Sequence, residues 1–173
     1  PDGYTAFFAP ERYNTEVKDL PKRLRYVNDR GYFTHVRDNK TPFISGAMMS
    51  RGVISAPMIA MASPILKDRV FQGALLGAMN LQYVSTLHEK MESTLQTDYV
   101  IITDHEDRII YASSPTGLSN LEKYSMKIGE SKFAPKFPVL LINGRNHPYH
   151  LATNSFNWKI YIIKQPEELV TLF

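Results

Sequence analysis

Few residues of this 173-residue chain are arranged for covalent chemistry. It has no cysteine, and so no thiol nucleophile, thiolate metal ligand or disulfide. No glycine loop suited to phosphate, His-Glu-x-x-His or Gly-x-Ser-x-Gly stands in it. His147 and His150 lie three apart across Pro148, and a metal there would need further ligands and a backing layer of hydrogen bonds. Glu167-Glu168 fall in a terminal helix pattern, where paired carboxylates are normally solvated. The residues suited to binding are of another kind. Arg30 offers a donor fork that matches a carboxylate, although beside Asp29 it also fits a surface helix residue paired with that acid. Asn80 stands in an apolar run, where its amide needs a partner: a ligand, a backbone group or a water. Met48, Met49, Met58, Met61 and Met79 gather in the first half, as core filling or as the wall of a deformable apolar pocket. On composition Tyr32 and Phe33 read as core. No enzyme, cofactor or metal site is expected.

The elements that must position these residues read as α+β. Tyr4 to Ala9 is an aromatic strand pattern between Asp2-Gly3 and Pro10, and Tyr26 to Val36 fits a short helix. Phe43 to Met49 is strand-like and is followed by a hairpin turn at Ser50-Arg51-Gly52. Ser55 to Ile65 predicts a strand ending at Ser63-Pro64, with a charged loop over Leu66 to Val70. Phe71 to Leu81 predicts a buried strand whose Gly73 and Gly77 mark places of close approach. Val84 to Thr94 has near-helical apolar spacing. A second series then begins. Asp98 to Thr103 and Arg108 to Ser113 form a hairpin around Asp104 to Asp107. Lys132 to Ile142 ends at the Asn143-Gly144 turn, and Tyr149 to Thr153 and Asn157 to Ile163 give two more strands. Pro166 opens an exit helix. The recurrence of acidic turn and apolar strand suggests an internal duplication.

Composition sets broad bounds. Hydrophobic residues make up 43% and charged residues 21%, an ordinary globular mix. Twenty basic and 17 acidic residues leave a net charge of +3. The basic stretch from Lys18 to Arg37 is broken by Asp19, Asp29 and aromatics, so no concentrated nucleic-acid patch is expected. No run reaches the roughly 18 apolar residues of a membrane span. The opening Pro1-Asp2-Gly3 reads as a turn, so the sequence is expected to be a piece of something longer.

In order along nearly the whole chain, several short motifs resemble the double Cache family of bacterial extracytoplasmic sensor domains. They are Asp2-Gly3, Asp29-Arg30-Gly31-Tyr32-Phe33, Phe43-Ile44-Ser45, Pro64-Ile65, Gly73 to Gly77, Ile102 to Tyr111 and Trp158 to Ile162. The resemblance implies two PAS-like modules, over 1–95 (membrane-distal) and 96–173 (membrane-proximal). A long N-terminal helix and the first distal strand would precede Pro1. It also implies a periplasmic or extracellular place in a membrane-anchored, dimeric receptor with a kinase, cyclase or chemotaxis output. A small ligand would sit in the distal module. The family's amino-acid pattern puts its carboxylate-binding Arg on Arg30 and its aromatics on Tyr32 and Phe33. A further Tyr, three residues after the strand residue Ser45, falls on Met48, and the Asp that holds the ligand ammonium falls on Asn80. An Asn brings no charge to an ammonium. The implied ligand is therefore a small carboxylate or other anion in preference to an ordinary α-amino acid. The alternative is a dimerising or partner-protein-binding spacer with no small ligand.

Overall fold

A computed structural model of the chain describes residues 2–5, 21, 26–51, 55–92, 99–125 and 138–164. The architecture is α+β, with two antiparallel sheets and few helices. The chain divides into two compact units, Pro1–Asn80 and Leu81–Phe173.

In the first unit, helix α1 (Gly31–Asn39) begins later than the sequence pattern suggests. The Arg30 amide closes a turn onto the Val27 carbonyl, and Arg30 itself is extended, with φ −94° and ψ 129°. Its carbonyl then accepts from the amides of Phe33 and Thr34. The helix ends at Lys40, which is left-handed at φ 57°. Tyr32, Phe33 and Val36 share one face, as positions i, i+1 and i+4 do. That face lies on a three-stranded meander of β1 (Phe43–Met49), β2 (Pro57–Lys67) and β3 (Val70–Asn80), in the order β1-β2-β3. Ala60 and Ala62 of β2 are small enough to admit the two rings, and Phe71 meets Phe33 edge-on at 5.9 Å.

Two features of this sheet differ from the sequence pattern. β2 runs through Pro64 to Lys67 instead of stopping at Ser63-Pro64. Its pairing with β1 ends at Ala62, so beyond that point β2 has an edge where the missing proline N–H is tolerated. The loop expected over Leu66 to Val70 shrinks to a two-residue turn, Asp68-Arg69, with φ 51° and 63°. Positive φ at both positions is the geometry that suits strand twist, but the pair is not the Asn-Gly or Asp-Gly that would have announced it. The predicted close approach at the strand glycines is not seen among the described residues. A side chain at Gly73 would meet nothing, and one at Gly77 would make ordinary contact with Met61.

The second unit opens with helix α2 (Leu81–Glu92) and continues with β4 (Tyr99–Thr103), β5 (Ile109–Ala112), β6 (Val139–Ile142), β7 (Arg145–Thr153) and β8 (Lys159–Ile163). The sheet order is β5-β4-β8-β7-β6, so the last strand lies beside the first. Alternate residues of β4 and β8 pack into a core of Ile101, Leu140, Ile142, Tyr149, Tyr161 and Ile163. Two side chains fix the turns. The buried Asp104 carboxylate accepts from the amides of Glu106 and Arg108 at 2.8 and 2.9 Å. Asn154 accepts from Phe156 and Trp158 at 2.9 and 3.0 Å. β6 and β7 are joined by Asn143-Gly144, at φ 50° and 77°, as the dipeptide predicts. The meander β6-β7-β8 has the same order as β1-β2-β3. Of the expected elements, residues 6–9 of the first strand, residues 132–137 of the strand before Asn143-Gly144 and the exit helix from Pro166 lie outside the described residues.

Two predictions follow from this geometry. A left-handed non-glycine residue costs about 1–2 kcal/mol, partly offset by the extra unfolded-state freedom of glycine. Arg69→Gly should therefore raise stability by about 0.5–1 kcal/mol, seen as a higher urea midpoint; a lower midpoint would contradict the turn. In the second core, burial first, and then the neighbouring Tyr161 and Tyr149, push the Tyr124 phenol from 10 to about 12. Its folded value lies above its unfolded value, so the fold favours the neutral phenol. The contribution is intact below pH 10 and is lost as pH rises toward about 12. Alkaline unfolding should steepen in that window, and Tyr124→Phe should flatten it.

Candidate functional site

The segment leading into α1 is held by a small set of polar contacts. Tyr26 bridges to Tyr4, their rings 5.2 Å apart, and the Val27 amide donates to the Gly3 carbonyl at 2.8 Å. Gly3 is at φ +82°, and a Cβ there would stand 2.6 Å from the Asn28 Cβ, so the approach requires glycine. Asn28 donates to the Tyr26 hydroxyl at 2.9 Å and accepts from Arg37, which also pairs with Asp38 at 2.7 Å.

The dominant contact comes from Arg51. Its two terminal nitrogens grip the Asp29 carboxylate at 2.8 and 2.5 Å, and one also donates to the Tyr26 carbonyl at 2.7 Å. The Arg51 hydrogen bonds hold the Asp29 carboxyl below its usual range, and Asp29 in turn raises Arg51. Ser50 completes the corner. Its amide donates to the Ala56 carbonyl, and its hydroxyl accepts from the Ala56 amide, both at 2.9 Å.

Arg51 stands two residues beyond β1, so this pair fastens the start of α1 to one end of the sheet. At that end Met48, Met58 and Asn80 lie in one row across the three strands. Met48 and Met58 pack against the α1 core, and strand alternation puts Asn80 on the same face. Arg30, half-buried, follows Asp29 directly. Among the described residues its guanidinium has no hydrogen bond or ion pair, because Asp29 is taken by Arg51. The sequence alternative that paired Arg30 with Asp29 is thereby replaced. Burial raises the Tyr32 phenol, while the nearby positive charges of Arg30 and Arg51 pull the other way.

The residues singled out in the sequence thus separate into two groups. Arg30 and Tyr32 share the start of α1, and Met48 and Asn80 share the sheet row at the end where Arg51 attaches. Phe33 is 5% exposed and packed among Ala60, Ala62 and Phe71. The Ser45 hydroxyl works inside the sheet. Ser45 and Gly46 together face Ala60, a bulge, and the hydroxyl accepts from the Ala60 amide at 2.9 Å and donates to the Gly46 carbonyl at 2.8 Å. Arg51 and Asp29 were missed as a pair. The one signal available was an Arg in a turn, which nothing in sequence links to a residue 22 positions earlier.

His147 and His150 both lie on β7, where an odd spacing sends side chains to opposite faces. His147 is buried, its Nδ1 3.2 Å from the Lys164 carbonyl, while His150 is exposed. Among the described residues no cluster of three or more His, Asp or Glu is placed to hold a metal. Nor is any helix among them long and apolar enough to cross a membrane.

No family model matches the chain, and no curated protein matches it. Solved structures do. The ligand-binding domain of the Pseudomonas aeruginosa PAO1 chemoreceptor PctB with L-Gln matches at TM-score 0.64 and 14% identity, over 90% of this chain and 64% of that one. The ligand-binding domain of Mlp24 with asparagine matches at TM-score 0.61 and 14% identity, over 99% and 64%. The ligand-binding domain of the Pseudomonas fluorescens chemoreceptor CtaA with L-serine matches at TM-score 0.59 and 14% identity, over 82% and 63%. The chain spans a little under two thirds of the length of these structures. With its two antiparallel sheets, the chain has the α+β, PAS-like fold of bacterial chemoreceptor ligand-binding domains.

Proposed function

We propose that the chain is the extracytoplasmic sensor domain of a membrane-anchored, dimeric bacterial receptor. It binds a small molecule in its first module, 1–95, and passes the signal through its second, 96–173, to a cytoplasmic output domain. The domain itself is not an enzyme. The observation that carries this reading is the uncommitted guanidinium of Arg30 beside Tyr32, at the end of the unit where Met48 and Asn80 also lie. A spacer has no need of a half-buried cation that has no partner among the described residues. The preferred ligand is a small carboxylate. Arg30 offers the fork, the methionines offer adaptable apolar contact, and Asn80 offers a neutral hydrogen-bonding end.

A charged hydrogen bond contributes about 1.5–3 kcal/mol, so Arg30→Ala should weaken acetate or succinate binding about ten- to a hundredfold. Titration calorimetry that gives equal affinities before and after the change would remove Arg30 from the site. If neither compound binds the unaltered chain, the spacer reading replaces this one.

A second reading has its own support, since the similar domains named above were solved with amino acids. The two readings divide at Asn80. Placing a carboxylate there favours an ammonium and opposes a second anion. Asn80→Asp should therefore raise the affinity ratio of L-serine to acetate about tenfold. An unchanged ratio would mean that Asn80 does not face the ligand.

A further inference from the structure

Three arginines surround the start of α1, and they are not equivalent. Arg51 is engaged with both oxygens of Asp29 and with the Tyr26 carbonyl. Arg37 is engaged with Asp38 and with the Asn28 side-chain oxygen. Arg30 has no such contact among the described residues. Among the described residues, two acids thus neutralise two of these three cations and leave one positive charge for a ligand. The Asp29–Arg51 pair is close enough to count in that balance. Both Arg30 and Arg51 act electrostatically on Asp29, and all three act on the buried Tyr32.

We propose that Asp29 is a specificity-determining residue of this site. By occupying the fork of Arg51 it leaves Arg30 as the one available cation among the described residues around it, and so selects a monocarboxylate over a dicarboxylate. The proposal rests on the reading of Arg30 as the ligand anchor. Its chemistry is that of charge matching. A monocarboxylate on Arg30 leaves the cluster neutral. A dicarboxylate brings a second negative charge that meets Asp29 and finds no free partner among the described residues. Without the Asp29 charge, Arg51 becomes the second cation of a two-cation site. Two guanidinium groups favour a dianion over a monoanion. Arg51 also keeps the Tyr26 carbonyl as an acceptor, so it stays at the site when Asp29 is altered.

The test is a calorimetric titration of the whole chain with acetate and with succinate. It compares the unaltered protein with Asp29→Asn, Asp29→Glu and Arg30→Ala. The unaltered protein is expected to prefer acetate. Asp29→Asn keeps the shape and removes the charge, and should raise the succinate-to-acetate affinity ratio about tenfold. Asp29→Glu keeps the charge and should hold the original ratio, which a merely structural role for residue 29 would not require. Asp29 is about half exposed, so Asp29→Asn should fold, and a thermal melt checks this; Asp29→Ser serves in its place if the melt fails. A ratio unmoved by Asp29→Asn, with binding still lost in Arg30→Ala, overturns the role of Asp29 and leaves the Arg30 anchor standing. A preference of the unaltered protein for succinate also overturns it. Binding of neither compound removes the anchor and this inference together.

Discussion

The geometry of the first unit depends on one guanidinium. Arg51 reaches from the end of β1 to the Asp29 carboxylate and the Tyr26 carbonyl, three hydrogen bonds that join segments 22 and 25 residues apart in sequence. A surface ion pair of this kind contributes little to stability, because solvent screens it and ordering two long side chains costs entropy. What it contributes is position. It determines where the chain enters α1, and hence where Arg30 and Tyr32 stand relative to the sheet end that holds Met48 and Asn80. It also removes the nearest carboxylate from Arg30. The contact that positions the segment is thus also the one that occupies Asp29.

The remaining requirement is a rigid floor, and the packing under α1 supplies it. Ala60 and Ala62 make a shallow strand surface into which Tyr32, Phe33 and Val36 settle. The Ser45-Gly46 bulge is held by the Ser45 hydroxyl, which replaces the backbone partner that the Ala60 amide would otherwise lack. A hydroxyl spent on a bulge is poorly placed to serve a ligand as well, since its proton already goes to the Gly46 carbonyl. On the proposed reading, the polar chemistry then falls to Arg30, Tyr32 and Asn80.

The sequence conveyed the fold better than the site, for physical reasons. Strands such as Phe43 to Met49 and turns such as Asn143-Gly144 are written in local periodicity and backbone preference, so one stretch of sequence suffices to read them. The Asp68-Arg69 turn escaped because its residues reach positive φ against their own preference, under the pull of the long β2–β3 ladder. Pro64 misled because its effect depends on whether a neighbouring strand continues past it, which is a property of pairing. Of the proposed site residues, Asn80 was visible as a polar residue in an apolar run, and Arg30 only through the family resemblance. The Asp29–Arg51 contact was not, because a side-chain pair across 22 residues leaves no periodic trace.

On the proposed reading, binding must be converted into a shift between arrangements, and the magnitudes restrict how. Near-complete switching between two states needs about 5.5 kcal/mol of differential affinity. One charged hydrogen bond from Arg30 supplies about 1.5–3 kcal/mol, and only the part that differs between states counts. A small ligand at this site therefore yields a partial shift unless several contacts change together. Those best suited to do so are on the entry to α1, where exposed side-chain bonds, not buried apolar area, fix the backbone. The floor of alanines and aromatic rings is close-packed and changes little at low cost. On that reading, a ligand that draws on Arg30 acts on the segment from Tyr26 to Tyr32 first, against a close-packed sheet.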